Sequence, residues 1–442
     1  MTPHDSAGAP VTFAQALRFW FKLGWISFGG PAGQIALMHD ELVERRRWIS
    51  ERRFLHALNY CMVLPGPEAQ QLATYIGWLM HRTWGGVVAG ALFVLPSLLI
   101  LIALSVVYVR FGELPWIAAV LAGIKPAVTA IVVQAAHRMG SRVLKNKLMY
   151  ALAVFAFVGM AVFDWPFPLI IGIAAVVGVA GSQWAPKLFP AAAHATKGGA
   201  HAPAWIDDHT PTPAHAGLSW PRLIVVLLCA LLLWSVPMGL VAWWSGAHST
   251  LTQMGWFFTK AALLTFGGAY AVLPYVYQGA VTQFGWLTAP QMMDGLALGE
   301  TTPGPLIMVV AFVGFLGGAS ASPDNALLAG AVAATWVTWF TFLPSFIFIL
   351  AGAPVVEATR QNLQLSAPLA AITAAVVGVI LNLAVFFAYH LFWPQGLSGG
   401  FAWPSAVLTV LAAVLLLRYK RTVLEVLGLC ALCWLGLFAL GF

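Results

Sequence analysis

The composition of this chain excludes an ordinary soluble domain. Of its 442 residues, 60% are hydrophobic and only 8% are charged, and the mean hydropathy is +0.85, whereas soluble domains carry about 25% charged residues. The net charge of +7 does not by itself indicate a nucleic-acid partner, because membrane proteins keep Lys and Arg in cytoplasmic loops for topological reasons. We therefore predict an all-α polytopic membrane protein, since barrel strands would give short alternating segments.

Seven apolar runs are close to or above the roughly 20 residues that a helix needs to cross a bilayer. They cover residues 85–109, 115–137, 166–183, 220–244, 325–351, 367–391 and 422–441. The N-terminal residues lack a basic region and a cleavage site, so we expect no cleaved signal peptide. The four cysteines all lie in apolar segments, where packing explains them better than metal binding.

Two short motifs, FGG at Phe28–Gly30 and PGP at Pro65–Pro67, interrupt the first part of the chain. If each motif lay within a single crossing, the basic clusters at 45–53 and 138–147 would lie on opposite sides of the membrane, against the positive-inside rule. We therefore predict that both motifs are turning points within protein-lined space. The helices flanking the turns are predicted at 12–28, 32–46, 51–64 and 68–82.

The same motifs recur in the second part of the chain. A shift of 238 positions aligns Lys22 with Lys260, FGG with Phe266–Gly268 and PGP with Pro303–Pro305. The basic clusters of the first copy have no basic equivalents in the second. The basic residues of the second copy, Arg418, Lys420 and Arg421, lie instead in the equivalent of a first-copy loop that begins at Asp164 and has no Lys or Arg. The topology of the second copy is therefore expected to be inverted. Inverted repeats are typical of secondary transporters, which bind their substrate near the membrane midplane where the repeats meet.

These observations divide the chain into four segments. We expect homologous repeats at 11–184 and 250–442, joined by a hydrophilic Ala/Pro/His-rich linker at 185–219 and a connecting transmembrane helix at 220–244. The linker is predicted to be solvated and flexible. It contains four of the eleven histidines, at spacings that match no metal site: His194, His201, His209 and His215.

The motif residues are suited to an anion site. Glycine allows positive φ and close approach, and the second proline of PGP suits the first turn of a new helix, whose free N–H groups attract an anion. The alternative is that PGP only kinks two packed helices. The predicted substrate residues of the motifs are Gly29, Gly30, Gly267, Gly268, Pro65, Gly66, Pro67, Pro303, Gly304 and Pro305.

Ionisable residues within apolar segments are the second class of candidates, because each costs at least about 2.5 kcal/mol to insert. Lys22 and Lys260 occupy matching positions before each FGG, and Lys125 precedes a proline. These lysines are predicted to attract the anion, although those near helix ends could instead extend to the interface. Glu68 and Glu300 flank the PGP motifs and are candidates for a proton carrier or a counter-ion; Glu68 also suits a helix first turn.

The acidic and basic block that follows the first FGG contains pairs at helical spacing. Glu41 and Arg45 stand at i,i+4, next to Arg46, and can form ion pairs across one turn. We interpret the block either as a gate or as a solvated helix end anchored by cytoplasmic arginines.

At this point the chain resembles a known family. FGGPAGQIALMHDELVERRRWIS, followed by FLHALNYCMVLPGPEAQQLATYIGW and GGVVAGALFVLPSLLIL, is similar to the signature of the chromate ion transporter family, and the second FGG and PGP half resembles that family's second homologous domain. The resemblance covers nearly the whole chain except the linker. It implies a long two-domain member with about thirteen helices and oppositely oriented halves in the bacterial cytoplasmic membrane. The family's motif residues correspond here to Gly29, Gly30, Pro31, Glu41, Arg46, Trp48, Pro65, Gly66, Pro67 and Gln71.

The resemblance implies secondary transport of chromate, with efflux driven by the proton motive force and no metal or other cofactor. Chromate is a compact dianion, to which the hydroxyls of Thr301 and Thr302 are suited. Sulfate would be suited almost as well, so a sulfate importer or exchanger stays open. An enzyme or lipid-handling protein that uses Glu68, Glu300 and His39 has no catalytic motif in support. The expected partners are the oxyanion, protons and membrane lipid; the sequence leaves a homodimer open.

Overall fold

The computed structural model describes residues 10–184, 204–208, 210, 213–217, 219–358 and 366–440. Within these ranges the backbone forms sixteen α-helices and no β-strand, which confirms the predicted all-α fold. These sixteen helices outnumber the roughly thirteen that the resemblance implies. The first nine residues, on which the signal-peptide expectation depends, and His194, His201 and His209 lie outside the described part of the chain.

The first half of the chain contains seven helices. They are α1 Phe13–Ile26, α2 Gly30–His39, α3 Glu51–Val63, α4 Glu68–Phe111, α5 Pro115–Val143, α6 Lys147–Ala161 and α7 Phe167–Trp184. A π-helical turn, Asp40–Arg45, extends α2. Helix α4 is bent where His81 and Arg82 leave the helical conformation. The chain therefore breaks at FGG, between α1 and α2, and at PGP, between α3 and α4, as predicted.

The second half repeats this order of elements after one connecting helix, α8 Trp220–Ser245. The helices of the second half are α9 Thr250–Leu263, α10 Ala269–Tyr277, α11 Ala289–Thr301, α12 Val309–Ala321, α13 Ala326–Ala358, α14 Ser366–Phe392, α15 Trp403–Leu417 and α16 Val423–Ala439. A second π-helical turn, Gln278–Gln283, begins and ends 238 positions after the first. The same shift relates both ends of α11 to those of α3, so the local conformation repeats along with the motifs.

Helix length indicates how deep the motifs lie. Among the described residues, five helices are long and apolar enough to cross a membrane. By contrast, α1 and α9 have 14 residues each and α3 and α11 have 13, which gives roughly 20 Å against a hydrocarbon thickness of about 30 Å. A helix of this length that started at the interface would end within the membrane, where the backbone groups of the turns would need protein partners.

The last helices of the two halves are exchanged. Helix α5 of the first half packs on α15 and α16, whereas α14, its counterpart in the second half, packs on α6 and α7. The approach is close on both sides, because a Cβ on Gly378 would lie 1.9 Å from the Ala153 carbonyl oxygen and one on Gly123 would lie 2.9 Å from that of Cys430. The two halves are therefore interwoven, and each completes the core of the other.

The described part of the linker is docked onto the first half. Ile206 forms an isolated parallel bridge with Ile49, and Ala204, Ile206 and Ala216 are buried. The His215 Nε2 atom lies 3.1 Å from the Trp78 carbonyl oxygen. The prediction of a solvated, flexible linker is therefore wrong for this part, because its backbone pairs with the loop before α3 and its apolar side chains enter the core.

Candidate functional site

The PGP motif of each half contacts the turn before FGG in the other half. The backbone N–H of Gly66 donates to the carbonyl of Thr265 at 2.7 Å, and that of Gly304 donates to the carbonyl of Ser27 at 2.8 Å. The repeat shift relates the two glycines to each other and the two acceptors to each other. These crossed hydrogen bonds bring all four predicted turning points together at the contact between the halves.

The PGP glycines are required by both conformation and space. Gly66 has φ 130° and Gly304 has φ 104°, values that L side chains rarely adopt. A Cβ on Gly66 would lie 2.4 Å from Ser345 Oγ, and one on Gly304 would lie 2.9 Å from Ser97 Cβ. Ser97 and Ser345 occupy equivalent positions in two Leu-Pro-Ser sequences, Leu95–Ser97 in α4 and Leu343–Ser345 in α13. Each PGP motif therefore lies between the turn before FGG and the Leu-Pro-Ser helix of the opposite half.

The FGG turns also depend on glycine. Gly29 and Gly30 have φ 89° and 69°, and Gly267 and Gly268 have φ 81° and 94°. Two successive residues in this region reverse the chain at a cost that only glycine avoids. A Cβ on Gly267 would lie 3.3 Å from the Thr373 side chain. The sharp turn itself therefore explains why all four predicted FGG positions are glycines.

A cluster of buried glutamines surrounds the crossed contact on the side of the first half. Gln34 donates from Nε2 to the carbonyls of Gly304 and Ser27, and Gln71 donates to the Pro65 carbonyl at 2.8 Å. Gln70 donates to Thr74 Oγ1 at 3.0 Å. These three side chains, which we call the glutamine cluster (Gln34, Gln70, Gln71), are at most 1% exposed.

Each member of the glutamine cluster has an unsatisfied atom. Among the described residues, the Oε1 atoms of all three are buried without a hydrogen-bond partner. A buried unpaired polar group costs about 1–3 kcal/mol, so the cluster is suited to a polar guest or to water. Rotation of an amide exchanges its oxygen and nitrogen ends, which lets the same side chains present N–H donors to an anion. Gln34 and Gln70 were missed in the sequence because a single Gln in an apolar helix carries no motif.

The two threonines before the second PGP differ in exposure. Thr302 is buried and donates to the Gly299 carbonyl at 2.9 Å, with Ser97 Oγ 3.5 Å away. Thr301 is exposed and donates to the Leu298 carbonyl at 2.8 Å. Both hydroxyl protons are therefore used within the helix, and only Thr302 lies within the contact between the halves.

The predicted lysines have different surroundings. Lys22 and Lys260 are exposed on α1 and α9, so the structure does not bury either of them in the crossed contact. Lys125 is held in an ion pair, with Nζ 3.5 Å from Asp294 Oδ1. The Tyr108 hydroxyl donates to Asp294 Oδ2 at 3.0 Å. Asp294 is an acidic residue in an apolar stretch of α11 that the sequence reasoning overlooked, although its cost of insertion was a usable signal.

The predicted acidic residues fall into two groups. Glu300 accepts a hydrogen bond from the Tyr270 hydroxyl and lies at the end of α11, while Glu68 is the half-buried first residue of α4. Both therefore lie beside the PGP loops. In the acidic and basic block, Glu41 pairs with Arg45 at 3.4 Å and with Arg46 at 2.9 Å, at an exposed end of the structure.

Comparison with known proteins decides the family. A model of the chromate transporter family matches the chain twice, at residues 14–179 and 252–437. The chain belongs to the chromate transporter family. It is 32% identical to a chromate transport protein of Pseudomonas aeruginosa over 85% of this chain and 81% of that protein. It is 29% identical to a chromate transport protein of Cupriavidus metallidurans over 93% of this chain and 89% of that protein.

Membership of the chromate transporter family agrees with the apolar helices. A probable chromate transport protein of Synechococcus elongatus is 30% identical over 84% of this chain and 83% of that protein. No solved structure matches the chain. Together with the five helices that are long enough to span, the family identifies a multi-pass protein of the bacterial cytoplasmic membrane.

Proposed function

We propose that this chain is a secondary active transporter that exports chromate, driven by the proton motive force. The observation that supports it best is the pair of crossed hydrogen bonds, Gly66 to Thr265 and Gly304 to Ser27. A site built by broken helices from two related halves is typical of transporters that alternate its access between the two sides. The names of the similar proteins from Pseudomonas aeruginosa and Cupriavidus metallidurans supply chromate as the substrate.

In this proposal the oxyanion binds beside the PGP loops. Helix α4 and the 3-10 turn at Leu306–Met308 both begin directly after a PGP motif, and their free N–H groups and positive dipole ends favour a negative charge. Amides of the glutamine cluster supply further donors without a fixed charge. A tetrahedral dianion with four acceptor oxygens can use donors that converge from several directions.

Coupling to protons is assigned to Glu68 and Glu300. Both are ionisable groups beside the PGP loops, and Glu300 already accepts a hydrogen bond from the Tyr270 hydroxyl. Carriage of a proton by a carboxylate beside the anion would link the two fluxes. We further propose that the chain is not an enzyme, since amides, serine hydroxyls and backbone groups bind an oxyanion without reacting with it.

Flux measurements with purified protein test this function. Vesicles that contain the protein should move labelled chromate, faster when a pH gradient is imposed, and excess sulfate should compete more strongly than excess phosphate if charge and shape select the substrate. Gln34→Leu should lower the flux about tenfold, the equivalent of roughly 1.4 kcal/mol. Gln183→Leu, at an exposed position of α7, is the matched control and should transport normally.

Three results would contradict parts of the proposal. Absence of chromate flux in vesicles that contain folded protein would exclude chromate as the substrate. A flux that does not change when the pH gradient is imposed would exclude coupling to protons. Equal flux through Gln34→Leu and Gln183→Leu would exclude the glutamine cluster as the binding site while leaving chromate transport intact.

A further inference from the structure

A cavity of about 260 Å³ lies away from the crossed contact, at the junction of the linker, the bend of α4, the start of α8 and the end of α13. We call it the junction cavity. Its polar lining includes Arg82, Thr83, His215, Ser219 and Arg222. None of these residues belongs to the proposed chromate site, so the cavity needs a separate explanation.

The two arginines give the junction cavity a positive charge. Arg82 stands at the bend of α4 with φ 59°, a conformation that non-glycine residues adopt at a cost. Within the described residues its guanidinium has no hydrogen-bond or ion-pair partner, whereas Arg222 donates to the His215 carbonyl at 3.2 Å. Burial lowers the pKa of His215, and the nearby charges of Arg82 and Arg222 lower it further, partly offset by hydrogen bonds to backbone groups.

The remaining part of the lining of the junction cavity is apolar. It is formed by Trp78, Leu223, Val226, Leu350, Ala351 and Pro354. Beyond the cavity α8 continues with exposed apolar side chains, among them Ile224, Leu227 and Leu231, and only 11% of its most apolar stretch is buried within the protein. The site therefore has two cationic side chains next to an exposed apolar helix surface. A phospholipid, with a charged headgroup and apolar acyl chains, matches both parts, whereas a free inorganic anion matches only the first.

We propose that the junction cavity binds the phosphate headgroup of an anionic phospholipid, with its acyl chains lying along α8. Arginine holds phosphate through paired N–H donors, and basic pockets between transmembrane helices on the cytoplasmic side are suited to anionic headgroups. The start of α8 adds free N–H groups to the same site, since Ser219 makes no side-chain cap there. The bound lipid joins the docked linker to α4 and α13.

The test compares lipid binding by full-length variants in detergent. Phosphatidylglycerol should raise the melting temperature of the wild type, and phosphatidylcholine at the same concentration should not. Arg82→Gln and Arg222→Gln should each weaken the phosphatidylglycerol affinity on the order of fivefold and the double variant about thirtyfold, because each arginine near a membrane surface contributes about 1 kcal/mol. Arg110→Gln, at the exposed far end of α4, is the matched control and should bind like the wild type.

Two outcomes would overturn the lipid site. An unchanged phosphatidylglycerol affinity in the double variant would exclude the arginines, and equal stabilisation of the wild type by inorganic phosphate would show that the cavity takes a free oxyanion instead. If the double variant does not fold, native mass spectrometry of the wild type and of Arg222→Lys tests whether the bound lipid is anionic. Both should retain phosphatidylglycerol in preference to phosphatidylcholine, and equal retention of the two lipids would reject the proposal.

Discussion

The two PGP regions have the same backbone and different side chains. Each PGP glycine donates to the turn before the opposite FGG, yet the helices that follow diverge in polarity. In the first half the buried residues after PGP include Gln70, Gln71 and Thr74, and the equivalent positions of the second half hold Met308, Val309 and Phe312. Gln34 likewise has an apolar counterpart in Val272.

This difference separates what the repeat needs for architecture from what it needs for function. The crossed backbone bonds are present in both halves because they fix the contact between the halves. Polar side chains are concentrated on the side of the first half, so we infer that this side supplies most of the contacts to the oxyanion. The second half contributes a buried carboxylate, since Asp294 occupies the position equivalent to His56.

The largest expected effect comes from breaking the Lys125–Asp294 pair between the halves. Asp294→Ala should lower the free energy of unfolding by about 3–5 kcal/mol, because it leaves a partly buried cation without its counter-ion. The double variant Lys125→Met/Asp294→Leu should recover most of that loss. Thermal unfolding of the purified proteins measures both effects.

Glu425→Ala is the control for that measurement. The Glu425 carboxylate lies 3.9 Å from Arg421, and both side chains are largely exposed, so its removal should cost less than about 1 kcal/mol. A double variant no more stable than Asp294→Ala would contradict the explanation by an unpaired charge.

The second effect concerns the shared backbone contact. Gly304→Ala should be less stable than the wild type by about 2–3 kcal/mol and should lose most chromate flux, because its Cβ would meet Ser97 while φ stays positive. Gly246→Ala has a similar positive φ in open space and should show only the strain of about 1–2 kcal/mol. If the two variants unfold at the same temperature, the close contact between the added Cβ and Ser97 does not contribute to the loss of stability.

A third experiment makes the two PGP helices alike. Gln71→Val gives the first half the residue that the second half has at this position, and should reduce chromate flux about tenfold through loss of one polar contact. Val309→Ala changes the equivalent apolar position and should lower stability by about 1–2 kcal/mol with flux within about twofold of the wild type. Equal losses of flux would mean that both halves bind the oxyanion.

The smallest effect involves the described part of the linker, which is docked onto the first half through Ile206 and Ile49. The pKa of His215 is lowered in the folded state, so protonation favours the undocked linker and docking weakens as the pH falls through about 6.5. Hydrogen exchange at the amides of Trp205 and Ile206, expressed relative to the intrinsic exchange rate at each pH, should therefore increase as the pH is lowered from about 7.5 to 5.5. His215→Gln should flatten this increase, and an unchanged pH profile in that variant would exclude His215 as the cause.

Local signals in the sequence predicted the turning points accurately. Helix α3 was expected at 51–64 and is found at Glu51–Val63, because Ser50 is a strong N-cap and the following PGP stops the helix. The pairing of Glu41 with Arg45 follows from helical spacing in the same way.

Contacts between distant segments could not be predicted. The crossed hydrogen bonds, the Lys125–Asp294 pair and the docking of Ile206 join positions that no periodicity connects. Lys22 and Lys260 occupy matching positions in the repeat, and both side chains are exposed. The match therefore indicated a shared environment and did not indicate a role. The reasoning from motifs therefore predicted which turns meet at the crossed contact less ambiguously than it predicted the roles of the side chains around it.

The exchange of terminal helices also constrains how the protein is made. Helix α5 ends at Val143, and its packing partners α15 and α16 begin at Trp403 and Val423, so they leave the ribosome on the order of tens of seconds later. During that interval the face of α5 is covered only by lipid or by the insertion machinery. A chain that stops before α15 would have an incompletely packed first half as well as a shortened second half, so loss of the C-terminal helices would expose apolar surface in both halves.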